Sequence, residues 1–224
     1  MSVESRFAAP ALASLKDCAL DDPRLPTPLF VIDSQKLEKN LRRAKDRAAK
    51  LGVAFRPHLK THKSIGIALR QMTTPQGPAA EARYFGARGV TDLIYAVGIA
   101  PQKLAEVSRL RSLGADIKII LDSAEAARAV SAFCRREKTT IPVLLEIDVD
   151  GHRSGIRPDG AELLPAAAAL ADGAELVGVL THAGDSYECK STAEIEAAAE
   201  AERAGIVLAA ERLRAAGHIV KIVS

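Results

Sequence analysis

Residues 117–149 read IKIILDSAEAARAVSAFCRREKTTIPVLLEIDV, and this stretch decides the fold. Two apolar runs, IKIILD (117–122) and IPVLLEIDV (141–149), flank a helical segment that Asp122-Ser-Ala-Glu125 opens in the manner of a capping box. Both runs are almost continuously apolar, which is typical of strands buried on both faces of a parallel sheet. The stretch therefore predicts a strand–helix–strand unit of an α/β protein.

The same alternation extends in both directions from this unit. We predict further strands at PLFVID (28–33), VAFRPHLK (53–60), DLIYAV (92–97), ELVGVLTH (175–182) and HIVKIVS (218–224). The first predicted helix has Leu37, Leu41 and Leu51 at helical spacing, and Gly52 ends it. No strand is predicted in TTPQGPAA (73–80).

The predicted units favour a barrel. No Gly-x-Gly-x-x-Gly follows the first strand, which argues against a dinucleotide-binding open sheet. Residues 1–27 are expected to form an irregular lead-in, and residues 28–224 a single domain. At roughly 30 residues per strand–helix unit this domain holds about six to seven units. A closed eight-stranded (β/α)8 barrel of the TIM type usually takes about 250 residues, so we expect either a small barrel or an incomplete one, and favour the incomplete one.

Composition excludes several classes of protein. Of 224 residues, 31 are Lys or Arg and 28 are Asp or Glu, a net charge of +3. This excess is mild and no basic block accompanies it, which argues against a nucleic-acid partner. Aromatic residues make up only 4%, which argues against a surface for base stacking. We see no signal peptide and no membrane span, and the three cysteines show no paired spacing. A cytoplasmic protein is the expectation.

Polar residues concentrate at three predicted strand ends, where the chemistry of parallel barrels is found. These segments are RPHLKTHK (56–63), EIDVDGHRSG (146–155) and THAGDSY (181–187). In the first, Lys60 would end a buried strand among Arg56, His58, His62 and Lys63. Burial and neighbouring cations would lower the pKa of the Lys60 ammonium and leave an amine able to form a Schiff base. On composition alone, Lys60 is more often an ordinary surface lysine than a reactive amine. A third explanation is that these basic residues form a phosphate-binding patch.

The other candidates also have structural explanations. His182 is either a core histidine or a ring packed against a planar ligand. Arg153 either pairs with Asp148 and Asp150 or donates to a ligand oxygen. Tyr187 is either a loop aromatic or a phenol donor. His152 lacks a second metal ligand at a set spacing, which argues against a metal site.

Three motifs in this order resemble a known family. RPHLKTHK, EIDVDGHRSGIRP and LVGVLTHAGDSYEC are similar to segments of the D-serine dehydratase and D-threonine aldolase group, and ARYFGARGVTDLIYAVGIAPQKL favours the dehydratase branch. The resemblance runs from about Thr27 to Ser224. It implies a barrel of the alanine-racemase type that binds pyridoxal 5'-phosphate (PLP), and a lyase acting on small D-β-hydroxy amino acids, D-serine first.

The resemblance also implies roles for individual residues. Lys60 is then the lysine that holds PLP as a Schiff base and exchanges it with the substrate. Arg153 and Tyr187 lie near the cofactor, and His182 packs on the pyridine ring. The reaction is either dehydration, with release of pyruvate and ammonia from D-serine, or retro-aldol cleavage. In the family a divalent metal, zinc or manganese, handles the β-hydroxyl.

Two differences from the family pattern matter for activity. In relatives a phosphate-binding segment and a second β domain with the metal ligands follow the position of Ser224, so no metal ligand is assigned in this chain. Relatives also carry a strand near residues 73–80. We therefore expect weak or no turnover from the chain by itself, and a possible homodimer stays open. A PLP carrier without catalytic activity, as in PLP-homeostasis proteins, is the alternative from another functional class.

Overall fold

The computed structural model describes residues 18–25, 27–71, 76–78, 86 and 88–224. The chain divides into two compact units, Met1–Val53 and Ala54–Ser224. In the first unit, helix α1 spans Ser34–Leu51, as predicted. The Asp33 carboxylate accepts hydrogen bonds from backbone N–H groups of its first turn, and Gly52 ends the helix. Most of the predicted lead-in, residues 1–27, lies outside the described residues.

The second unit alternates strands and helices along the described chain. Its elements are α2 (Ile65–Gln71), β1 (Gln76–Pro78), β2 (Asp92–Gly98), α3 (Leu104–Ser112), β3 (Asp116–Leu121), α4 (Ala124–Glu137), β4 (Ile141–Ile147), α5 (Leu163–Ala168), β5 (Ala174–Thr181), α6 (Thr192–Ala215) and β6 (Ile222–Val223). Short 3₁₀ turns at Pro101–Lys103 and Asp185–Tyr187 complete it. None of these described helices is both long and apolar enough to cross a lipid bilayer.

The strands form one parallel sheet. Its order is β1-β2-β3-β4-β5-β6, so each strand pairs with its neighbours in the sequence, in parallel. Crossover helices between sequential parallel strands build the wall of a β/α barrel. The predicted fold class, an α/β barrel of the TIM type present in part, is confirmed.

The sheet has two faces with different cores. The larger core lies on the face that carries Val143, Leu145 and Ile147 and includes residues of α4 and α6. The opposite face holds a small cluster of Ile94, Ile120, Leu144 and Leu180. Because side chains alternate along a strand, the residues two positions after Ile94, Leu144 and Leu180 share this second face. Those residues are Ala96, Glu146 and His182.

Three predictions about strands were wrong. Residues 29–33 and 53–58 are not strands, and in the first segment Phe30 is 98% exposed. An apolar run becomes a strand only when a neighbour supplies hydrogen-bond partners, and none of the described residues forms a ladder with either segment. Conversely, Gln76–Pro78 is a strand although it lacks an apolar pattern, because its backbone pairs with β2.

Serine hydroxyls cap the starts of two helices. Ser191 precedes α6, and its hydroxyl accepts a hydrogen bond from the backbone N–H of Glu194. Helix α4 is capped by Ser123, whose hydroxyl accepts from the N–H of Ala126. The cap is therefore one residue later than the Asp122–Glu125 box predicts.

Arg56 forms an ion pair at the amino end of β2. Its guanidinium donates to both carboxylate oxygens of Asp92, at 3.0 and 2.9 Å. Lys118 donates to the same carboxylate at 2.9 Å and to Asp116 at 2.7 Å. Burial raises the pKa of Asp92, but the hydrogen bonds and charges of Arg56 and Lys118 together lower it by more. The pKa is therefore below its ordinary value. Arg56 is thus an ion-pair partner of Asp92 at the start of β2.

Candidate active site

A cavity of about 410 Å³ lies in the second unit, at the carboxyl ends of the strands. Three of the residues singled out in the sequence line it: Lys60, Arg153 and His182. The other lining residues are His58, Ala96, Val97, Gly98, Glu146, Ser154 and Leu180. Three separate polar segments of the sequence therefore meet at one place, as the parallel topology requires.

Lys60 lies on a turn that its neighbours anchor. Pro57 and Leu59 are buried, and Leu59 is fully inaccessible to solvent. The backbone N–H of Lys60 donates to Nδ1 of His58 at 3.3 Å, and that of Lys63 donates to the Leu59 carbonyl at 3.0 Å. Residue 60 itself is exposed. The expected position at the end of a buried strand was therefore wrong, because the chain turns here before the lysine.

Arg153 is carried by a tight loop, residues 148–156, that returns to the strand it leaves. The N–H of Asp148 donates to the Ile156 carbonyl at 3.0 Å, and the N–H of Ile156 donates to the Glu146 carbonyl at 2.8 Å. Gly155 has a φ of 130°, and a Cβ there would lie 2.5 Å from the nitrogen of Asp148. The turn therefore depends on glycine.

His182 follows the last residue of β5 and is partly buried. Thr181 fixes the strand end beside it, since its hydroxyl donates to the Ile147 carbonyl of β4 at 2.8 Å. Burial lowers the pKa of His182, and the positive charges of Arg153 and Lys60 lower it further, while Asp150 opposes them. The imidazole is thus held in its neutral form to lower pH than an ordinary histidine.

We expect the titration of His182, followed by NMR of the labelled chain, to have a midpoint below 6.5. In the unfolded chain this histidine binds a proton below about pH 6.5, whereas in the folded chain it resists protonation. Stability should therefore fall as the pH drops below that value, and the fall should be smaller in His182→Asn. A midpoint at or above 6.5 would contradict the expectation.

Tyr187 lies apart from the other three predicted residues. It belongs to the 3₁₀ turn Asp185–Tyr187, is 76% exposed, and does not line the cavity. The structure therefore brings Lys60, Arg153 and His182 together and leaves the phenol on the surface of the β5 loop.

Asp150 connects the loops that follow β4 and β5. Its carboxylate accepts hydrogen bonds from the N–H of Gly184 at 2.5 Å and of Asp185 at 3.3 Å. Burial raises the pKa of the Asp150 carboxyl, but hydrogen bonds from the N–H groups of Gly184, His152 and Asp185 together lower it by more. The carboxyl therefore titrates below its ordinary value. The loop that carries Arg153 is thus fastened to the loop that follows His182.

Asp150, His152 and Asp185 place potential metal-ligand atoms within 4.8 Å of one another. His152 thereby gains the neighbouring ligands that sequence spacing did not reveal, because they come from another loop. These groups already bond to one another or to backbone: Nδ1 of His152 lies 2.6 Å from an oxygen of Asp185. These contacts explain why the three side chains lie together: they link the loop after β4 to the loop after β5.

Sequence reasoning missed two polar residues of the cavity, Glu146 and Ser154, and named His58 only as a neighbour of Lys60. Glu146 is 6% exposed, and its carboxylate accepts a hydrogen bond from the Ser154 hydroxyl at 3.0 Å. The signal for Glu146 was a single acid within the apolar run IPVLLEI. His58 belongs to the same RPHLKTHK segment as Lys60, two residues before it.

Residues 32–224 match the family model described as "Alanine racemase, N-terminal domain". The chain belongs to this family. It is 45% identical over 207 residues to D-threo-3-hydroxyaspartate dehydratase of Delftia sp. (strain HT23), an alignment covering 89% of this chain and 54% of that protein. The solved structure of that dehydratase superposes with a TM-score of 0.86 at 44% identity, covering 89% of this chain and 54% of that one.

Two other relatives catalyse, by their names, related reactions. The chain is 29% identical over 198 residues to D-serine dehydratase of Schizosaccharomyces pombe (strain 972 / ATCC 24843), covering 79% of this chain and 46% of that protein. It is 36% identical over 146 residues to D-threonine aldolase of Arthrobacter sp., covering 62% and 38%. The chain thus spans about half the length, or less, of these curated relatives. The resemblance to this group of lyases is confirmed.

Proposed function

We propose that this chain is the cofactor-binding part of a PLP-dependent lyase that dehydrates D-β-hydroxy amino acids. The observation that carries the proposal is that Lys60, Arg153 and His182 line one cavity at the carboxyl ends of the strands. An amine, a guanidinium and a neutral imidazole are the groups needed to hold an aldehyde covalently, bind an anionic oxygen and cover an aromatic ring.

The residues present fit PLP in size and chemistry. A volume of about 410 Å³ lies within the range of roughly 300–1,000 Å³ common for small-molecule sites. Ala96, Val97 and Leu180 supply apolar wall, and His58, Lys60 and Arg153 supply donors or positive charge. When bound, PLP supplies an acceptor for the electron pair left at Cα of the substrate.

Each residue has a role in this proposal. Lys60 would hold the cofactor through its side-chain amine, and the same amine in its free form would take the proton from Cα of the substrate. His182, kept neutral by burial and by its cationic neighbours, packs against the ring without adding a charge. Arg153 donates to an anionic oxygen of the cofactor. Tyr187 is proposed as a phenol donor beside the cofactor, which would require its turn to move toward the cavity.

D-serine is the first proposed substrate, and D-threo-3-hydroxyaspartate the second. The second is favoured by the 45% identity to the Delftia dehydratase. Retro-aldol cleavage is the alternative reaction, since the name of the Arthrobacter relative records it. For the whole enzyme we propose a zinc or manganese requirement; a variant of the Delftia protein has been solved in a metal-free form. A single barrel domain over 28–224, a homodimer and a cytoplasmic location remain proposals from the sequence.

The experiment adds each D-amino acid, and its L-enantiomer as control, to the chain loaded with PLP, with and without zinc or manganese. We expect D-serine and D-threo-3-hydroxyaspartate, but not the L-forms, to change the visible absorption of the bound cofactor. Products identify the reaction: pyruvate or oxaloacetate with ammonia indicates dehydration, and glycine with an aldehyde or glyoxylate indicates retro-aldol cleavage. A chain that binds no PLP, or a bound cofactor that responds to no D-amino acid, would overturn the proposal.

A further inference from the structure

Glu146 is the one carboxylic acid that is buried in the part of the chain that the structure describes, with 6% of its surface exposed. It occupies the same face of β4 as Leu144, one step closer to the cavity, which it lines. Burial raises the pKa of this carboxyl, the hydrogen bond from Ser154 lowers it, and the charge of Asp122 raises it again. Burying an acid is unfavourable, whereas a leucine fills the preceding position on this face without that cost. The carboxylate must therefore supply something other than packing.

What it supplies is a hydrogen-bond acceptor for the loop that carries Arg153. The Ser154 hydroxyl donates to one carboxylate oxygen of Glu146 at 3.0 Å. Two backbone hydrogen bonds, between Asp148 and Ile156 and between Ile156 and Glu146, close the base of the same loop. The bond between Glu146 and Ser154 is the side-chain link between the strand and residue 154, directly after Arg153.

We propose that Glu146 is a positioning residue for Arg153. By holding Ser154 against β4, it sets the direction in which residue 153 leaves the loop, so that the guanidinium faces the cavity. The role requires an acceptor oxygen at position 146 rather than a negative charge. As far as Arg153 is taken to bind PLP, this inference rests on the proposed function.

The test compares Glu146→Gln, Glu146→Ala, Ser154→Ala and the double variant E146A/S154A. The dissociation constant of PLP is measured from its visible absorption, and the induced circular dichroism reports the cofactor's surroundings. We expect Glu146→Ala and Ser154→Ala each to weaken binding about five- to tenfold, the effect of one hydrogen bond. Glu146→Gln keeps the acceptor and should bind within about twofold of the parent chain. The double variant should be no worse than either single one, because both remove the same bond.

Ser131→Ala is the matched control. Ser131 is also a buried hydroxyl, 5% exposed, and its oxygen bonds to backbone groups of Ala127, Ala169 and Ala171 away from the cavity. Its loss should lower the unfolding midpoint and leave PLP binding and the induced dichroism unchanged. A general loss of stability would affect Ser131→Ala and Glu146→Ala alike, whereas positioning affects only the second.

A measurement without cofactor separates this inference from the proposed function. Hydrogen–deuterium exchange of the peptide spanning residues 148–156 should be faster in Glu146→Ala and Ser154→Ala and unchanged in Glu146→Gln. If the parent chain binds no PLP, the proposed function fails while the exchange data still decide the role of Glu146. Parent-like exchange in Glu146→Ala, or damage by Glu146→Gln equal to that by Glu146→Ala, would overturn the inference.

Discussion

Replacing Lys60 by arginine is expected to abolish covalent attachment of PLP. Arginine keeps the positive charge and most of the length of the side chain, but its guanidinium stays protonated and cannot form a Schiff base. After incubation with PLP and reduction with borohydride, the parent chain should carry one stable adduct, mapped by mass spectrometry to residue 60. In Lys60→Arg this adduct should be absent, together with the visible absorption of the bound cofactor.

Lys63→Arg is the matched control for this experiment. Lys63 lies in the same RPHLKTHK segment and is also exposed, but it does not line the cavity. Its replacement should leave the adduct at residue 60 unchanged, because the turn around Lys60 is held by buried Leu59. An adduct that persists in Lys60→Arg, or one that maps mainly to other lysines, would contradict the assignment and return Lys60 to an ordinary surface lysine.

The meeting of Lys60, Arg153 and His182 could be predicted because it follows from topology. Polar residues at the carboxyl ends of parallel strands must lie at one edge of the sheet, whatever the distance between them in the sequence. The prediction held for the cavity although the segment around Lys60 is not a strand. Burial of the neighbouring Leu59 anchors the turn as a strand would have done.

The strand errors have a common physical origin. Apolar pattern reports which side chains prefer burial, whereas a strand also requires a neighbouring backbone at the right distance. Residues 29–33 have the pattern without a ladder in the described chain, and Gln76–Pro78 have the ladder without the pattern. Neither case could be distinguished from one sequence alone.

Contacts between loops could not be predicted for a different reason. Asp150 lies 34 residues before Gly184, and the hydrogen bond between them has no local signature. The same holds for the ion pair of Arg56 and Asp92, 36 residues apart. Glu146 differs from both, since an acid inside an apolar strand is visible in the sequence and marks a position whose burial needs a compensating partner.

Gly155→Ala is expected to have the largest effect of any substitution in the loop that carries Arg153. With φ at 130°, the position is strained for any residue with a Cβ, and that atom would lie 2.5 Å from the nitrogen of Asp148 and 2.6 Å from the carbonyl carbon of Ile147. Backbone atoms cannot move aside as a flexible side chain can. We expect a loss of about 2–4 kcal/mol in the free energy of unfolding, measured by urea denaturation. PLP binding should be lost with it, because the loop can no longer close beneath Arg153.

Gly151→Ala provides the control, because Gly151 has a left-handed φ of 77° in the same loop without the close contact. The nearest atom to its added Cβ would be Nη1 of Arg157, at 3.8 Å, on a side chain that can move. This variant therefore isolates the cost of the left-handed backbone, about 1 kcal/mol. The excess loss in Gly155→Ala therefore measures the clash with Asp148 and Ile147 together with the difference in φ, 130° against 77°. Equal losses in both would mean that the loop tolerates opening at its base, and Arg153 would then owe its position to the Asp150 contacts with Gly184 and Asp185 instead.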